Sequence, residues 1–513
     1  MAYGLAAHAW RTPDELAVGD GELEWTWAQL NSMVNRTVGW LLSLGVGAGQ
    51  RVGIMAENGV HTALAHLATT YAGLSVVPIN SQLTSGEVGY ILDDAAVHTV
   101  LCSARTAATV RAAGIGVRVV AWGTAGSGDV EAFESVIRDF PDTEPAATMV
   151  PAAPLYYTSG TTGRPKGVRL PDQMYPVGET VADHVRRIEQ SPVRPKGRHL
   201  IVGPMHHTGP IGGVRGLTVG NPLIILRKFD AEQVLRLIDE HRIESSMMVP
   251  THFARMLALP PTVRKRYDVS SIRSIVHTGA SCPVHIKSAM IDWFGPVLFE
   301  AYGSTEVGTV TFIDSADWLA HPGSVGRAMP GYELNIRDDG GELLAAGEPG
   351  LVCVRSTDGV RPRYHNDPDK TARSYVHGDE FVIGEVGYLD AAGYLYLTDR
   401  ISDMVVSGGV NLYPAESEAV LRAHPGVFDV AVIGIPHPDM GEQLCALVLP
   451  AENPPAAEEL ITWCRDRIAH HKCPGVIDFL DEDVRTAMGK LDKRALRARY
   501  LATHRTAMTE GAP

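Results

Sequence analysis

Short apolar runs alternate with amphipathic segments through the middle of the chain, and this rhythm constrains the fold more than any other feature. Residues 221–229 contain the run Pro-Leu-Ile-Ile-Leu, which is typical of a buried strand. Asp230 then stands at a helix N-cap, with Gln233 at the capping-box position before an apolar face. Further strands are predicted at 245–249 and 274–277. Strands joined by helices in this way form parallel sheets covered by helices.

A change of pattern late in the chain predicts a second domain. A chain of 513 residues is too long for one ordinary core. We predict an α/β protein in which a large N-terminal domain of helix-covered sheets, residues 1–398, is followed by a hinge at 399–402. Residues 403–513 are predicted to form a small, mobile α+β C-terminal domain, which includes a helix at 456–471.

Composition excludes several classes of function. Asp and Glu number 59 against 45 Lys and Arg, and no basic run is present, so no nucleic-acid partner is expected. The six cysteines form no CxxC pair and no zinc-like spacing, which favours a reducing compartment. The sequence shows no signal peptide and no run of 18 apolar residues. We therefore expect a cytoplasmic protein without integral membrane association.

A loop rich in glycine and hydroxyl side chains, residues 156–167, is the strongest local signal. Its sequence is Tyr-Tyr-Thr-Ser-Gly-Thr-Thr-Gly-Arg-Pro-Lys-Gly. Such a loop can direct backbone N–H groups and hydroxyls at phosphate oxygens, and Lys166 adds a positive charge. It is not a Walker A loop, because Lys166 lies between Pro165 and Gly167. The candidate nucleotide ligands are Thr158, Ser159, Gly160, Thr161, Thr162, Gly163 and Lys166.

The loop resembles the signature of the adenylate-forming superfamily, which includes acyl-CoA synthetases, peptide-synthetase adenylation domains and firefly-type luciferases. Four more motifs follow in the order of that superfamily, and five ordered motifs together are highly specific. These four motifs are Tyr-Gly-Ser-Thr-Glu at 302–306, Asp-Arg at 399–400, Ser-Gly-Gly-Val-Asn-Leu-Tyr-Pro-Ala-Glu at 407–416 and Arg-Thr-Ala-Met-Gly-Lys at 485–490. The resemblance covers almost the whole chain and favours fatty and aryl acyl-CoA ligases.

The resemblance implies roles for individual residues. Tyr302 would lie against adenine, Thr305 would contact the α-phosphate, and Glu306 would hold Mg²⁺. Lys490 would stabilise the charge that develops during adenylation, and His207 would lie beside the acid. The remaining nucleotide-binding positions implied are Gly279, Ala280, Ser281, Gly303, Ser304, Glu385 and Arg400.

The same resemblance implies a reaction in two halves. A carboxylic acid reacts with ATP to form an acyl-adenylate and pyrophosphate, and coenzyme A then takes the acyl group as a thioester. Between the halves the C-terminal domain would rotate about Ser402, exchanging Lys490 for the CoA-binding segment Ser407, Gly408 and Gly409. The implied cofactors are ATP, Mg²⁺ and coenzyme A. The oligomeric state stays open, with a homodimer as one option.

Two positions depart from the superfamily pattern. Glu385 stands where an Asp normally accepts hydrogen bonds from the ribose, and Ser402 stands where the hinge often has Asp or Lys. A carboxylate misplaced by about 1 Å can lower a rate roughly 100-fold. This opens an alternative in which the enzyme only forms the thioester from an acyl-adenylate made elsewhere.

Two further alternatives and the identity of the acid also stay open. The acceptor could be an acyl-carrier protein, because both thiols are pantetheine. A non-enzymatic nucleotide-binding protein is opposed by Lys490, Glu306 and Thr305. The expected acid pocket is formed by small and apolar residues at 208–213, 278 and 307–309, which favours a bulky apolar acid. Five glycines would leave the space, although they could instead permit close backbone packing; they are Gly209, Gly212, Gly213, Gly279 and Gly308.

Overall fold

The computed structural model describes nearly all of the chain between residues 4 and 504. The exceptions within that span are residues 46, 48, 147–148, 159–164, 171–174, 176–177, 192–195, 281, 339, 360, 401–402, 408–409, 438–439 and 486–490. At residues 399–400, 406 and 410–411 only the backbone is described.

The first part of the chain forms a parallel sheet and two strands that join a second sheet. Its elements are α1 (Gly4–Arg11), β1 (Leu16–Gly19), β2 (Glu24–Thr26), α2 (Trp27–Ser43), β3 (Arg51–Met55), α3 (Val60–Tyr71), β4 (Ser75–Ile79), α4 (Ser85–Asp94), β5 (Thr99–Ser103), α5 (Ala107–Ala112), β6 (Arg118–Trp122), β7 (Val130–Ala132) and α6 (Phe133–Val136). Strands β3 to β7 are parallel in the order β4-β3-β5-β6-β7. Helix α2 begins at a capping box in which the Thr26 hydroxyl accepts a hydrogen bond from the Gln29 N–H.

The middle of the chain builds the largest sheet. Its elements are β8 (Leu155–Thr158), β9 (Lys166–Arg169), α7 (Val181–Gln190), β10 (His199–Ile201), α8 (Thr208–Gly216), β11 (Leu223–Ile225), α9 (Ala231–His241), β12 (Ser245–Met248), α10 (Pro250–Leu257), α11 (Pro261–Arg264), β13 (Ser274–His277), α12 (Val284–Phe294), β14 (Leu298–Ser304), β15 (Gly308–Asp314), α13 (Ser315–Ala320) and β16 (Arg327–Ala328). Among the described residues the sheet has nine strands, ordered β16-β15-β14-β13-β12-β10-β11-β1-β2. The neighbours from β14 to β1 are parallel, which confirms the predicted helix-covered sheet.

A β-rich region follows the large sheet. Its elements are β17 (Tyr332–Arg337), β18 (Gly350–Ser356), β19 (Arg363–Tyr364), α14 (Pro368–Arg373), β20 (Tyr375–Val376), β21 (Glu380–Leu389) and β22 (Leu395–Arg400). Strands β17, β18, β21, β20 and β22 form an antiparallel sheet. Strand β19 leaves this sheet and pairs with β9, which already pairs with β8. It therefore lies beside the segment that carries the glycine-rich loop.

The last part of the chain is a small α+β unit. Its elements are β23 (Val405–Ser407), β24 (Val410–Leu412), α15 (Pro414–Arg422), β25 (Val427–His437), β26 (Gly441–Pro450), α16 (Ala457–Arg465), β27 (Val476–Phe479) and α17 (Lys493–Thr503). The strands lie in the order β24-β23-β26-β25, with β27 parallel to β26. These elements confirm the predicted fold class. The first two residues of the predicted hinge, 399 and 400, are the last two residues of β22. The domain boundaries themselves stay predictions.

None of the helices in the described residues combines the length and the apolar character needed to cross a bilayer.

Candidate functional site

The ends of β13 and β14 bring two predicted nucleotide motifs together. His277 in β13 pairs with Glu300 in β14, so the turn that starts at Gly279 and Ala280 lies next to the end of β14. Gly303 interrupts the pairing of β14 with β15, and a Cβ there would collide with the carbonyl of Gly308. Only glycine therefore allows this tight hairpin, at whose turn Thr305 and Glu306 are presented.

The predicted adenine and ribose residues are in direct contact. Tyr302, whose exposure is only 9%, donates a hydrogen bond from its hydroxyl to Oε2 of Glu385 over 3.2 Å. Glu385 lies in β21, opposite Arg400 of β22. The paired strands β21 and β22 therefore meet the end of β14, which lies 83 residues before Glu385 in the chain.

The predicted magnesium residue is held by a tyrosine. Tyr364 in β19 donates a hydrogen bond to Oε1 of Glu306 over 3.0 Å. Burial and the neighbouring carboxylate raise the pKa of Tyr364, so the phenol stays a donor at neutral pH. The other oxygen of Glu306 makes no hydrogen bond within the described part of the chain.

Residues at this hairpin suit a nucleotide-bound Mg²⁺. Mg²⁺ commonly takes one or two protein carboxylates, with phosphates and waters completing its octahedron. Glu306 supplies one carboxylate. Close by, the Oγ of Ser304 is buried and finds no hydrogen-bond partner among the described residues. A buried hydroxyl of this kind is costly unless a ligand satisfies it, so the donor set fits a phosphate–Mg²⁺ group.

Two lysines lie next to Glu306. The Nζ atom of Lys370 in α14 lies 3.5 Å from the centre of the Tyr364 ring. Burial, and then the neighbouring side chain of Lys166, lowers the pKa of Lys370 to about 7, while Glu306 and Asp367 act in the opposite direction. The Lys166 and Lys370 side chains therefore share one small region with the carboxylates of Glu306 and Asp367.

A buried ion pair lies beneath the two predicted nucleotide motifs, the one that starts at Gly279 and the one at 302–306, and connects α12 to β14. Lys287 of α12 lies 2.7 Å from Glu300 of β14, and His277 Nε2 lies 3.6 Å from the same carboxylate oxygen. Burial lowers the pKa of Lys287 and raises that of Glu300, whereas their contact opposes both shifts. Burial and Lys287 hold the pKa of His277 well below its usual value, so His277 is neutral.

The residues predicted to lie beside the acid are found at helix α8. His207 is the N-cap residue of this helix, and its ring lies 4.2 Å from that of His206, centre to centre. Burial lowers the pKa of His206 to about 4, which keeps it uncharged at neutral pH. His207 therefore begins the helix that carries three of the glycines expected to make space.

These glycines do not share one role. A Cβ on Gly213 would lie 2.6 Å from Cδ2 of His199, and one on Gly209 would collide with Met247. Gly279 and Gly308 have φ values of +87° and +77°, which L side chains rarely adopt. Among the three of these glycines that lie on α8, Gly212 alone has open space where a Cβ would lie. Gly209 and Gly213 permit close packing, the alternative that the sequence left open.

Several predicted site residues lie outside the described residues. They are Ser159, Gly160, Thr161, Thr162, Gly163, Ser281, Ser402, Gly408, Gly409 and Lys490, with the side chain of Arg400. At the two ends of the loop, Thr158 of β8 pairs with Lys166 of β9. Ser407, the remaining position predicted to bind CoA, pairs with Val410 of β24. Asp483, shortly before the predicted lysine, forms an ion pair with Arg255 of α10.

Sequence reasoning missed three residues of this region: Tyr364, Lys370 and Lys287. None of them lies in one of the five motifs. Tyr364 and Lys370 reach the site through the pairing of β19 with β9, which joins segments almost 200 residues apart. Lys287 reaches it through the contact between α12 and β14. No local pattern reveals either arrangement.

Comparisons with known proteins find relatives that match almost the whole chain. The model of the AMP-binding enzyme family matches residues 5–365, and the model of its C-terminal domain matches residues 416–490. The long-chain-fatty-acid–CoA ligase FadD13 of Mycobacterium tuberculosis (strain ATCC 25618 / H37Rv) is 32% identical over 495 residues, 94% of each chain. Feruloyl-CoA synthase of an Amycolatopsis species is also 32% identical, over 497 residues, 95% of this chain and 96% of that one.

A solved structure shows the same architecture. The anthranilate CoA ligase AuaEII, in complex with anthranoyl-AMP, superposes with a TM-score of 0.83 over 97% of both chains at 25% identity. These matches confirm the predicted resemblance and the prediction of an acid–thiol ligase. The chain belongs to the AMP-binding enzyme family, and it carries the segments that both models of that family describe.

Proposed function

We propose that the protein is an acyl-CoA ligase that activates a carboxylic acid as an acyl-adenylate and then forms its coenzyme A thioester. The observation that carries the proposal is the convergence of Tyr302, Glu385 and Glu306 at the end of β14. The three side chains suit the three parts of one nucleotide. The Tyr302 ring offers adenine a flat apolar face, the Glu385 carboxylate can bind the ribose hydroxyls, and Glu306 can hold the Mg²⁺ that accompanies the phosphates. The similarity to the CoA ligase FadD13 and to feruloyl-CoA synthase supports the same activity.

In the first half, the carboxylate oxygen of the acid forms a bond to the α-phosphorus of ATP. The bond between the α-phosphorus and the bridging oxygen breaks, and pyrophosphate leaves with that electron pair. Thr305 and the loop from Thr158 to Lys166 would hold the phosphates, and Lys490 would stabilise negative charge on the α-phosphate. Mg²⁺, held by Glu306, would neutralise phosphate charge.

In the second half, the sulfur of coenzyme A attacks the acyl carbonyl and AMP leaves. Lys490 would withdraw and the segment from Ser407 to Gly409 would approach, because a rotation about Ser402 can reassemble one site for two reactions. Gly408 and Gly409 have no side chains, so they would leave room for a pantetheine arm. We place the enzyme in the cytoplasm, and a homodimer is compatible with this arrangement.

The acid is proposed to be apolar and bulky. Gly212 leaves open space on α8, the helix that His207 begins. The sequence around it, Thr-Gly-Pro-Ile-Gly-Gly at 208–213, carries no charged side chain. The names of two relatives, which refer to long-chain fatty and feruloyl substrates, support this proposal.

The second candidate is an enzyme that carries out thioesterification alone. The carboxylate of Glu385 is engaged by Tyr302 within the protein, and both ATP and an acyl-adenylate present the ribose that this carboxylate would bind. A carboxylate has about four lone-pair positions, so it can accept from both partners. For this reason we retain the complete reaction as the proposal.

Mass spectrometry of products separates the two candidates. The purified enzyme receives Mg²⁺, coenzyme A and a panel of apolar acids with ATP, or coenzyme A with synthetic acyl-adenylates. Acyl-CoA in the ATP reactions establishes the complete ligase. Acyl-CoA from adenylates alone establishes the second candidate. Lys490→Ala serves as the control, since it should suppress the ATP reactions and spare the adenylate reactions. Absence of acyl-CoA from both, across fatty and aryl acids, would contradict the proposal.

A further inference from the structure

Lys370 reaches the phosphate end of the candidate site from a segment outside the five motifs. Strand β19 pairs with β9, with Tyr364 opposite Val168 and so two residues from Lys166. The N–H of Tyr364 donates to the Oγ1 of Thr371 over 3.0 Å, which ties α14 to β19. This contact brings Lys370, the lysine of α14, next to Lys166 near the end of the glycine-rich loop.

The position of the Lys370 side chain is defined by specific contacts. Its Nζ lies 3.5 Å above the Tyr364 ring, a cation–π contact that attracts an ammonium to the ring face. The hydroxyl of the same tyrosine binds Glu306 at 3.0 Å. At the start of the helix, the Asp367 carboxylate accepts a hydrogen bond from the Lys370 N–H over 2.9 Å. Lys370 and Glu306 are thus linked through one aromatic side chain.

The charges of this cluster favour an anion that arrives with a metal ion. The ammonium groups of Lys166 and Lys370 repel each other, and the carboxylates of Glu306 and Asp367 act on Lys370 in the opposite direction. Once Glu306 holds Mg²⁺, its charge no longer offsets the lysines, and a polyphosphate supplies negative charge and enough oxygens for two cations. An inorganic cation in the same place would worsen the repulsion unless phosphates accompany it.

We propose that Lys370 is a second cationic ligand of the nucleotide, which with Lys166 binds the β- and γ-phosphates and holds the pyrophosphate as it leaves. This inference rests on the proposed function, because it needs ATP as the nucleotide. When the bond between the α-phosphorus and its bridging oxygen breaks, the electron pair stays on pyrophosphate. The Lys370 ammonium stabilises that added charge. AMP, which leaves in the second half, has no β- or γ-phosphate for Lys370 to bind.

Direct binding tests the inference without turnover. Isothermal titration would compare the wild type with Lys370→Ala and Lys370→Arg, using α,β-methylene-ATP with Mg²⁺ and, separately, AMP. Lys370→Ala should bind the triphosphate analogue roughly ten-fold or more weakly, because a hydrogen bond to a charged group is lost. Its affinity for AMP should stay within about twofold, and Lys370→Arg should recover most of the triphosphate affinity since the charge is kept.

A matched control lies on the same helix. Arg373 of α14 is exposed, so Arg373→Ala removes a cation while leaving the phosphate region intact. This variant should bind both ligands like the wild type. Tyr364→Phe keeps the ring beneath Lys370 but loses the hydroxyl that binds Glu306. This variant therefore distinguishes the effect of Lys370 on binding from the effect of Glu306.

The half-reactions give an independent measure. Lys370→Ala should raise KM for pyrophosphate in acid-dependent ATP–pyrophosphate exchange, yet form thioester from a synthetic acyl-adenylate at the wild-type rate. Equal loss of triphosphate and AMP affinity would mean a structural role and overturn the inference. Unchanged triphosphate affinity in Lys370→Ala would overturn it as well. A wild type that binds neither ligand would instead overturn the proposed function.

Discussion

The hydroxyl of Tyr302 donates to the carboxylate of Glu385 over 3.2 Å, joining the end of β14 to β21. The sequence suggested that the extra methylene of glutamate displaces this carboxylate relative to the usual aspartate. In the structure, the longer side chain reaches the tyrosine that is proposed to support adenine. The substitution therefore couples the ribose residue to the adenine residue.

A double-mutant cycle measures that coupling. Tyr302→Phe and Glu385→Gln should each weaken AMP binding, because each weakens the interaction between the two side chains. The coupling energy from titration of the four proteins should be about 1 kcal/mol, the usual net value of one hydrogen bond. Strictly additive losses would contradict a direct energetic link. Exposed Lys265→Ala provides a control for handling and concentration errors.

Neighbouring glycines on α8 should respond in opposite ways to alanine. Gly213→Ala should lower the free energy of unfolding by roughly 1–3 kcal/mol, since its Cβ would meet His199 at 2.6 Å. Gly212→Ala should be neutral or stabilising by up to about 1 kcal/mol, because alanine favours a helix and open space receives the methyl. Urea denaturation of both variants checks the difference.

A larger side chain at Gly212 tests whether the acid binds beside α8. Gly212→Leu should fold and shift turnover from large towards smaller acids, if the open space belongs to the pocket. An unchanged acid preference would place the acid elsewhere and would leave the packing role of Gly213 unaffected.

The buried Lys287–Glu300 pair should be indispensable as a pair. Lys287→Met leaves a carboxylate with 5% exposure without its cation, so the free energy of unfolding should fall by about 3–5 kcal/mol. The double change Lys287→Met with Glu300→Gln should recover part of that loss, since no charge stays buried. Thermal unfolding compares them. A double variant less stable than Lys287→Met would contradict this account.

Acid should destabilise the protein partly through His199. Burial lowers its pKa to about 4, and its Nδ1 lies 2.9 Å from Ser245 Oγ. Between pH 6.5 and pH 4, His199 binds a proton in the unfolded chain but stays neutral in the folded one. Its contribution to the free energy of unfolding is therefore complete above pH 6.5 and is lost as the pH falls towards 4. One such histidine accounts for roughly 3 kcal/mol over that window.

His199→Asn checks the assignment, because asparagine can replace the hydrogen bond and does not titrate. The variant should show a shallower loss of unfolding free energy between pH 6.5 and 4 in denaturant titrations. An identical pH slope in both proteins would contradict the assignment to His199.

Local patterns predicted the elements well where a cap or an apolar run marked them. The strand at 274–277 has the predicted bounds, and the Asp230 carboxylate accepts from the Gln233 N–H over 2.7 Å as a cap. The helix predicted at 456–471 is wrong at its end, since α16 stops at Arg465. Beyond it, the Ser417 hydroxyl and Glu416 bind Lys472, so tertiary contacts hold a separate 3-10 turn.

The sequence alone determined the family, the order of the motifs and the α/β class, because these depend on residue type and spacing. Only the tertiary structure decided which distant side chains meet. It placed Lys370 and Tyr364 beside Glu306 through the pairing of β19 with β9. It also separated Gly212 from Gly213, since neighbouring positions on a helix point in different directions. Strand pairing and packing between distant segments leave no local periodicity in the sequence, so such contacts become visible only once the chain has folded.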